Sequence, residues 1–456
     1  MRTCFTLFLT AYANDNDALV PELWAQESLM VLENNMVATN LVHRDFEPVI
    51  ASYGDVVNTR KPASFTARRK TDVDSVTIQD ASTTNVAVKL DQHLHTSFMI
   101  KDQEQSKSFK DLVTTHLTPA VISLAQAADQ IVMGQVYKFL PNAVGQLGAG
   151  ATKANMIAAR EKMTTLKVPQ GPGLRNLLIT PNMEGQLLNI ADFLNAEKVG
   201  DAGTALREGS IGRKLGFDTY TSQNTPSILS ASAVATGAVN NAPGYAVGTT
   251  TLTVNGFSAA ITNGSWCTID GQPHEITATV GGATPTSITI RSALRAAVAN
   301  SAVIKVYAPA QVNLGAGYVS GWTKEMVYDT TTPIRPGQLV SYGSGIIHAA
   351  IDGTDATNLL LDRPTEAALA DNAVLGLGPS GEYGFAFHRN ALAFVTRPLA
   401  TPRANTGALS SVAAYNGLGL RVTITYNGEK QGHLVTIDML AGVKELDLNL
   451  GVPLLG

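Results

Sequence analysis

The spacing of apolar and polar positions changes several times along the chain. Over residues 22–46, Leu23, Ser28, Leu29, Leu32 and Met36 fall close to helical spacing, which predicts a helix followed by an extended segment. Residues 55–100 alternate instead, in the runs DVVNTRKPASFTARR, SVTIQD and TNVAVKLDQHLHTSFMI. Two β runs around a tip rich in Arg, Lys, Thr and Asp predict a long two-stranded hairpin. Such a hairpin has little core of its own and needs support from outside. A long amphipathic helix is predicted next, with Thr118 as cap and Pro119 in the first turn. Its apolar stripe runs through Val121, Leu124, Ala125, Ala128, Ile131, Val132, Val136 and Leu140 and stops at Pro141-Asn142. KSFKDLVTTHL, just upstream, is read as an added turn or two.

Residues 150–225 mix the two periods. KANMIAAREKMTTL reads as helix and RNLLIT as strand. PNMEGQLLNIADFLNA reads as a helix opened by Pro181, and GRKLGFDTYTSQNTP as a returning strand, together a compact α+β unit. From about 226 to 380 charges thin out and turn signals recur about every ten residues, which predicts an all-β insertion. Inside it, TSITIRSALRAAVANSAVIKV from Thr286 aligns without gaps on TNLLLDRPTEAALADNAVLGL from Thr357. The match predicts two related β modules in tandem, about 244–308 and 314–378. After 381, YGFAFHRNALAFVTRPLA reads as one strand and 403–417 as a Gly/Ser-rich loop. The last part, GLRVTITYNGEKQGHLVTIDMLAGVKELD, reads as a hairpin turning at Tyr426-Asn427-Gly428-Glu429. These strands would close a sheet begun near the start of the chain.

Composition narrows the function classes. With 456 residues the chain is long enough for two or three domains, yet only 15% of it is charged, below the roughly 25% of an average soluble domain. A large part of its surface being covered by other subunits would account for that, as would a turn-rich β protein with its many glycines. A net charge of −4 argues against dense phosphate contact. Basic residues cluster only at Arg60-Lys61 and Arg68-Arg69-Lys70, in a stretch that also carries Asp72 and Asp74. Two cysteines, Cys4 and Cys267, exclude a disulfide framework, no Cys/His array points to structural zinc, and no apolar run reaches membrane-spanning length. The opening MRTCFTLFLTAYANDND imitates a secretory signal ending in Ala11-Tyr12-Ala13; the other reading is a leader, with folding beginning near Asn14.

Catalytic patterns are scarce. No GxSxG, GxxxxGK[ST] or HExxH occurs. GAGATKANMIAAR, 148–160, has glycines before a helix with Lys153 nearby, and reads as a hinge, since no strand is expected before it. His93 and His95 share one face of a strand, but two ligands do not make a metal site. His274-Glu275 has no partner visible in sequence. His388 and Arg389 would point to opposite faces of their strand, and no third group nearby orients a base. No enzyme, metal or cofactor site is therefore predicted, and Arg389 reads as a group that snorkels or pairs at a sheet or subunit boundary.

The stretches GDVVNTRKPASFTARR, TNVAVKLDQHLHTSFMI, GFAFHRNALAFVTRPL and GLRVTITYNGEKQGHLVTIDMLAGVKEL together resemble the major capsid proteins of tailed bacteriophages, nearest the podovirus coat-protein type with an inserted β domain. The resemblance implies an α+β chain of Hong Kong 97-type fold. Residues 1–21 would be a leader, 22–50 the amino-terminal arm, 51–100 the extended E-loop hairpin and 101–140 peripheral domain with the spine helix. Residues 141–225 would form the axial domain, 226–380 the inserted β domain and 381–456 the closing strands. It further implies pentamers and hexamers in an icosahedral shell around double-stranded DNA, held without sequence-specific contact. Assembly would take place in the host cytoplasm, with a portal and no membrane. A separate scaffolding protein is expected, because only about twenty residues precede the first helix. Arg60, Lys61, Arg68, Arg69, Lys70, Arg389 and Arg397 are the candidate contacts between subunits. The Lys–Asn cross-link of some relatives has no identifiable trio here. Two alternatives stay open: an encapsulin-like nanocompartment shell, and a secreted β-rich surface adhesin.

Overall fold

The computed structural model describes residues 19–44, 52–61, 67–70, 76, 78–79, 84–101, 116–194, 211–228, 233–329, 333–343, 345–403 and 407–456. The signal-like opening, most of the polar hairpin tip and all but the end of KSFKDLVTTHL lie outside them.

Two sheets flank a long helix. The first has five strands in the order Leu392–Arg397, Gly432–Glu445, Leu418–Asn427 and Ala408–Tyr415, with Gln92–Lys101 on the free edge of Gly432–Glu445; every pairing is antiparallel. Trp24, Leu29 and Leu32 of the helix Leu19–Asn35, and Val121, Leu124 and Ala128 of the helix Thr118–Gly134, pack on Leu420, Val422, Val435, Ile437 and Met439 of this sheet. The second sheet runs Val144–Gly145, Gly451–Leu455, Gly381–His388, Arg175–Ile179, Phe217–Thr221 and Arg213–Lys214, with Ser227–Ile228 beside Gly381–His388.

Strand alternation sorts side chains between two cores. Leu178, Phe385 and Phe387 face the long helix. Leu177, Ile179, Ala386, Val452 and Leu454 face the helices Lys153–Thr165 and Pro181–Leu188. A sheet covered on both faces explains why Arg175–Ile179 and nearly all of Gly381–His388 are buried.

Several elements differ from the sequence reading. YGFAFHRNALAFVTRPLA is two strands in two sheets, separated by a 3₁₀ turn, Arg389–Ala391. Residues 84–101 also divide: Thr84–Lys89 stays in the hairpin, while Gln92–Lys101 crosses to the five-stranded sheet. The stretch read as a loop contains a strand, Ala408–Tyr415, joined to Leu418–Asn427 by Asn416-Gly417, both at positive φ, the geometry an Asn-Gly hairpin turn requires. The turn after Asn427 spans four residues up to Gly432, because the Asn427 Oδ1 accepts from the N–H groups of Glu429 and Lys430. The chain is already wound at His116-Leu117, so Thr118 is not the cap; the α-helix ends at Gly134 and tightens to a 3₁₀ helix, Gln135–Asn142, approaching Pro141. A proline ring cannot share the regular α spiral with the carbonyl four residues earlier. Ala38–Leu41 is helical where an extended segment was expected. Buried Asp129 explains it: its carboxylate accepts from the N–H groups of Val37 and Thr39 and from the Thr39 hydroxyl at 2.7–2.9 Å.

Residues 233–307 form a closed six-stranded barrel with Leu252, Val254, Cys267, Ile269, Ile276, Ile288, Ile290, Ile304 and Val306 inside. Residues 310–377 form a four-stranded and a two-stranded sheet around Val312, Tyr318, Tyr328, Val340, Leu359 and Leu375. Matching Thr286 with Thr357 sets Val298 on Leu369, and the two units repeat the same local bonds there. Tyr245 N–H donates to Val298 O and Tyr318 N–H to Leu369 O, each at 2.7 Å. The Tyr245 hydroxyl accepts from Thr253 N–H and the Tyr318 hydroxyl from Val327 N–H. Gly244 and Gly317 precede these tyrosines at positive φ, where any Cβ would run into the same two carbonyls.

The second β unit sits directly on the long helix. A Cβ on Gly134 would lie 2.5 Å from Asp362 Oδ2. Gly134→Ala is expected to lower the urea unfolding free energy by about 1–3 kcal/mol, the usual cost of overpacking a full interface; a stability equal to wild type would show that this contact yields freely.

Candidate functional site

The strands Val56–Lys61 and Thr84–Lys89 form an antiparallel hairpin that, among the described residues, pairs with no other strand. Among its described residues the anchored part is the base. Val88 and Leu90 are buried against Ala393, Val395 and Leu440, and Gly54 and Asp55 exchange backbone bonds with Leu90. Beside that base Tyr53 and Val56 are half exposed, and in the segment between the two strands Val76 and Ile78 are exposed to 72% and 88%. Arg68, Arg69 and Lys70, in the same segment of the chain, are exposed. An open-edged ribbon with exposed apolar groups and cations has the make-up of a surface that other chains can pair with or cover.

The other candidate contacts separate. Arg60 and Lys61 pair through their backbones with Asn85 and Thr84, and their side chains lie outside the described part. Arg389 is exposed, but on the 3₁₀ turn and not on a strand, so its face is not set by strand alternation; Arg397 is half-buried at a strand end opposite Leu440. The structure does not gather these arginines with Arg68 and Arg69 into one described cluster.

His388 is a structural group. Its Nδ1 accepts from Asn390 N–H at 3.1 Å, and burial, with Arg175 opposite, pushes its pKa down. Arg175 itself is spent on the carbonyls of Val168 and Pro169 and the Thr164 hydroxyl. Lys153 pairs with Asp192 at 2.7 Å, and the Thr152 hydroxyl caps its helix. The two-residue strand Val144–Gly145 does precede that glycine loop, contrary to the sequence reading. His93 and His95 stand edge to face on the outer surface of the five-stranded sheet, and among the described residues no three potential ligands converge on a metal. Cys267 is buried inside the barrel, which pushes its thiol pKa well up and leaves it unreactive.

Sequence reading missed two polar arrangements. Glu275 finds Arg291 at the end of the neighbouring barrel strand, in a bidentate pair at 2.6 and 3.0 Å. His348 lies between the Tyr342 hydroxyl, 2.8 Å from Nε2, and Asp362, 3.1 Å from Nδ1. Burial alone would raise the Asp362 pKa, but Arg363 and the His348 bond hold it below the usual range; burial pushes His348 down and Tyr342 up to about 12. His348 and Asp362 are fully buried, so this row braces the unit and offers no substrate a way in. From it, Arg363 reaches Glu366, and Lys138 on the long helix bonds Glu445 of the five-stranded sheet at 2.9 Å. Lys138 and Glu445, and His348 and Asp362, come from separate segments, while Asp362, Arg363 and Glu366 stand close together in the second repeat and were the local hint.

No family model matches the chain and no curated protein matches it. Among solved structures it is similar to one titled Mycobacterium phage Che8, with 14% identity, 92% of this chain and 90% of that chain covered, and a TM-score of 0.42. It is also similar to the capsid of Ralstonia phage GP4, with 10% identity, coverage of 92% and 87%, and a TM-score of 0.41. A third similarity is to the capsid of the cyanophage P-SCSP1u, with 12% identity, coverage of 89% and 84%, and a TM-score of 0.39. The overlap is long but loose and decides neither family nor activity. No helix among the described residues is long and apolar enough to cross a membrane.

On the same sheet surface, Arg421 grips Asp438 through both carboxylate oxygens across neighbouring strands, and His93 Nε2 lies 3.5 Å from Asp438. Burial alone would raise the Asp438 pKa; the His93 and Arg421 bonds outweigh it and hold the carboxyl below its usual value. A depressed folded-state pKa adds stability above about pH 4 and withdraws it as pH falls through the folded value. Asp438→Asn should therefore cost about 2 kcal/mol near neutral pH and flatten the loss of stability on acidification. Urea midpoints measured from about pH 6 to about pH 3 test this, and an unchanged acid slope would count against it.

Proposed function

We propose that this chain is a shell-building structural protein, a tailed-phage major capsid subunit of Hong Kong 97 type. Its copies assemble as pentamers and hexamers around double-stranded DNA, with a separate scaffolding protein and a portal taking part in assembly in the host cytoplasm. The observation that carries the reading is the hairpin Val56–Lys61/Thr84–Lys89, which among the described residues pairs with no other strand, is anchored at its base, and is followed outward by exposed Val76 and Ile78. A two-stranded ribbon is marginal alone in water, and an adjacent copy supplies the missing cover. The element order supports it too: amino-terminal helix, hairpin, long helix, α+β unit, β units, closing strands. In this reading 226–380 is an inserted, duplicated β domain, and a subunit of net charge −4 encloses DNA without gripping it, since tight phosphate binding needs clustered cations.

The hairpin's Arg68, Arg69 and Lys70 then meet carboxylates of a neighbour, and exposed Arg389 is a second contact of the same kind. Reversing Arg68 and Arg69 to Glu is expected to leave a soluble subunit with wild-type circular dichroism that forms no shells when produced with its assembly partners. Electron microscopy reads the outcome. Normal particles from the double variant would refute the contact, and single molecules from the wild type under all conditions would refute the shell.

A further inference from the structure

A cavity of about 1050 Å³ lies where the 3₁₀ end of the long helix, the barrel and the second β unit meet. Tyr137, Trp266, Leu294 and Ile346 supply apolar wall. Five cationic side chains line it against three carboxylates. Three of the cations are matched: Arg291 by Glu275, Lys138 by Glu445, and Arg363 by Asp362 and Glu366. Two are not. Lys162 has no ion pair among the described residues. Arg295 donates from Nη1 to Leu140 O at 2.9 Å, while its Nη2 is buried with no partner among the described residues.

An unmet donor on a buried guanidinium is costly. Loss of solvent lowers the Arg295 pKa to about 10, which leaves it charged at neutral pH. The cavity thus offers apolar wall and an excess of positive charge, with Arg295 and Lys162 on its lining and no carboxylate paired to either among the described residues, the combination that a small molecule with an anionic group satisfies. We propose that this cavity is a binding site for a small phosphate- or carboxylate-bearing ligand, received by Arg295 with Lys162 as the second cation. The site belongs to the single subunit and stands whether or not the chain builds a shell.

Calorimetric titration of the full-length soluble protein with inorganic phosphate and, separately, with citrate tests it and distinguishes the two ligand chemistries. Saturable binding of one probe per chain is expected, with affinity at least about tenfold weaker in Arg295→Gln, the loss of one charge-assisted bond. Lys162→Gln, at a more exposed position, should weaken binding less and carries the test if Arg295→Gln does not fold. Arg403→Gln, which does not line the cavity, should bind as wild type. Failure of both probes to saturate the wild type, or equal affinity in wild type and the folded cavity variants, would overturn the proposal.

Discussion

The two-sided burial of the strand pair Arg175–Ile179 and Gly381–His388 is the constraint on which the described architecture rests. One face holds Phe385, Phe387 and Leu178 against the long helix; the other holds Ala386, Leu177 and Ile179 against the α+β unit. Phe385 and Phe387 stack with centroids 4.7 Å apart, and Phe139 closes on Phe385 at 5.0 Å. Each buried phenyl ring contributes roughly 2–3 kcal/mol from apolar burial. Because these strands lie far apart in sequence, the sheet forms only when the chain has returned from the β units, and formation of this non-local sheet is expected to be slow relative to the helices.

The β units are held to this frame by a small, mostly apolar seam. Tyr137, Trp266, Leu339, Tyr383 and Leu455 pack together, and Trp266 donates to Ser341 across the two units. Gly134 lets Asp362 come down onto the helix, and Lys138 and Glu445 complete the contact with charges. The cavity beside the seam is one place where packing gives way, and there the cations outnumber the carboxylates. The hairpin is the opposite case. Its base is fixed by Val88 and Leu90, while its outer part shows apolar groups to solvent. A packed frame and a ribbon held at its base thus occur in one chain.

Much of this was legible in the sequence. The apolar stripe of the long helix, the turn signals about every ten residues in the all-β stretch and the match of Thr286 with Thr357 are local patterns, and local patterns survive in a one-dimensional reading because they follow from backbone geometry. The reading erred where a boundary depended on distant contacts. The run from Tyr383 to Arg397 looks like one strand, since nothing in it announces that His388 caps a turn and that the halves enter different sheets. Ala38–Leu41 is helical because Asp129, ninety positions away, takes its N–H groups. Ala408–Tyr415 was lost among small residues, although Asn416-Gly417 carried the hairpin signal.

The candidate contacts divide in the same way. That Arg68, Arg69 and Lys70 stand on an exposed, weakly supported ribbon could be inferred from composition and alternation. That Arg291 would meet Glu275, that His348 would be sealed between Tyr342 and Asp362, and that Arg295 would keep an unanswered donor could not. Sequence by itself determined the long helices with a full apolar stripe, the turn-rich β stretch and where charge is scarce, because those properties depend on neighbours within a few residues. Only the tertiary structure decided which strand joins which sheet and which charges are matched, because a hydrogen bond or ion pair depends on separations of about 3 Å between groups that the chain brings together from hundreds of residues apart.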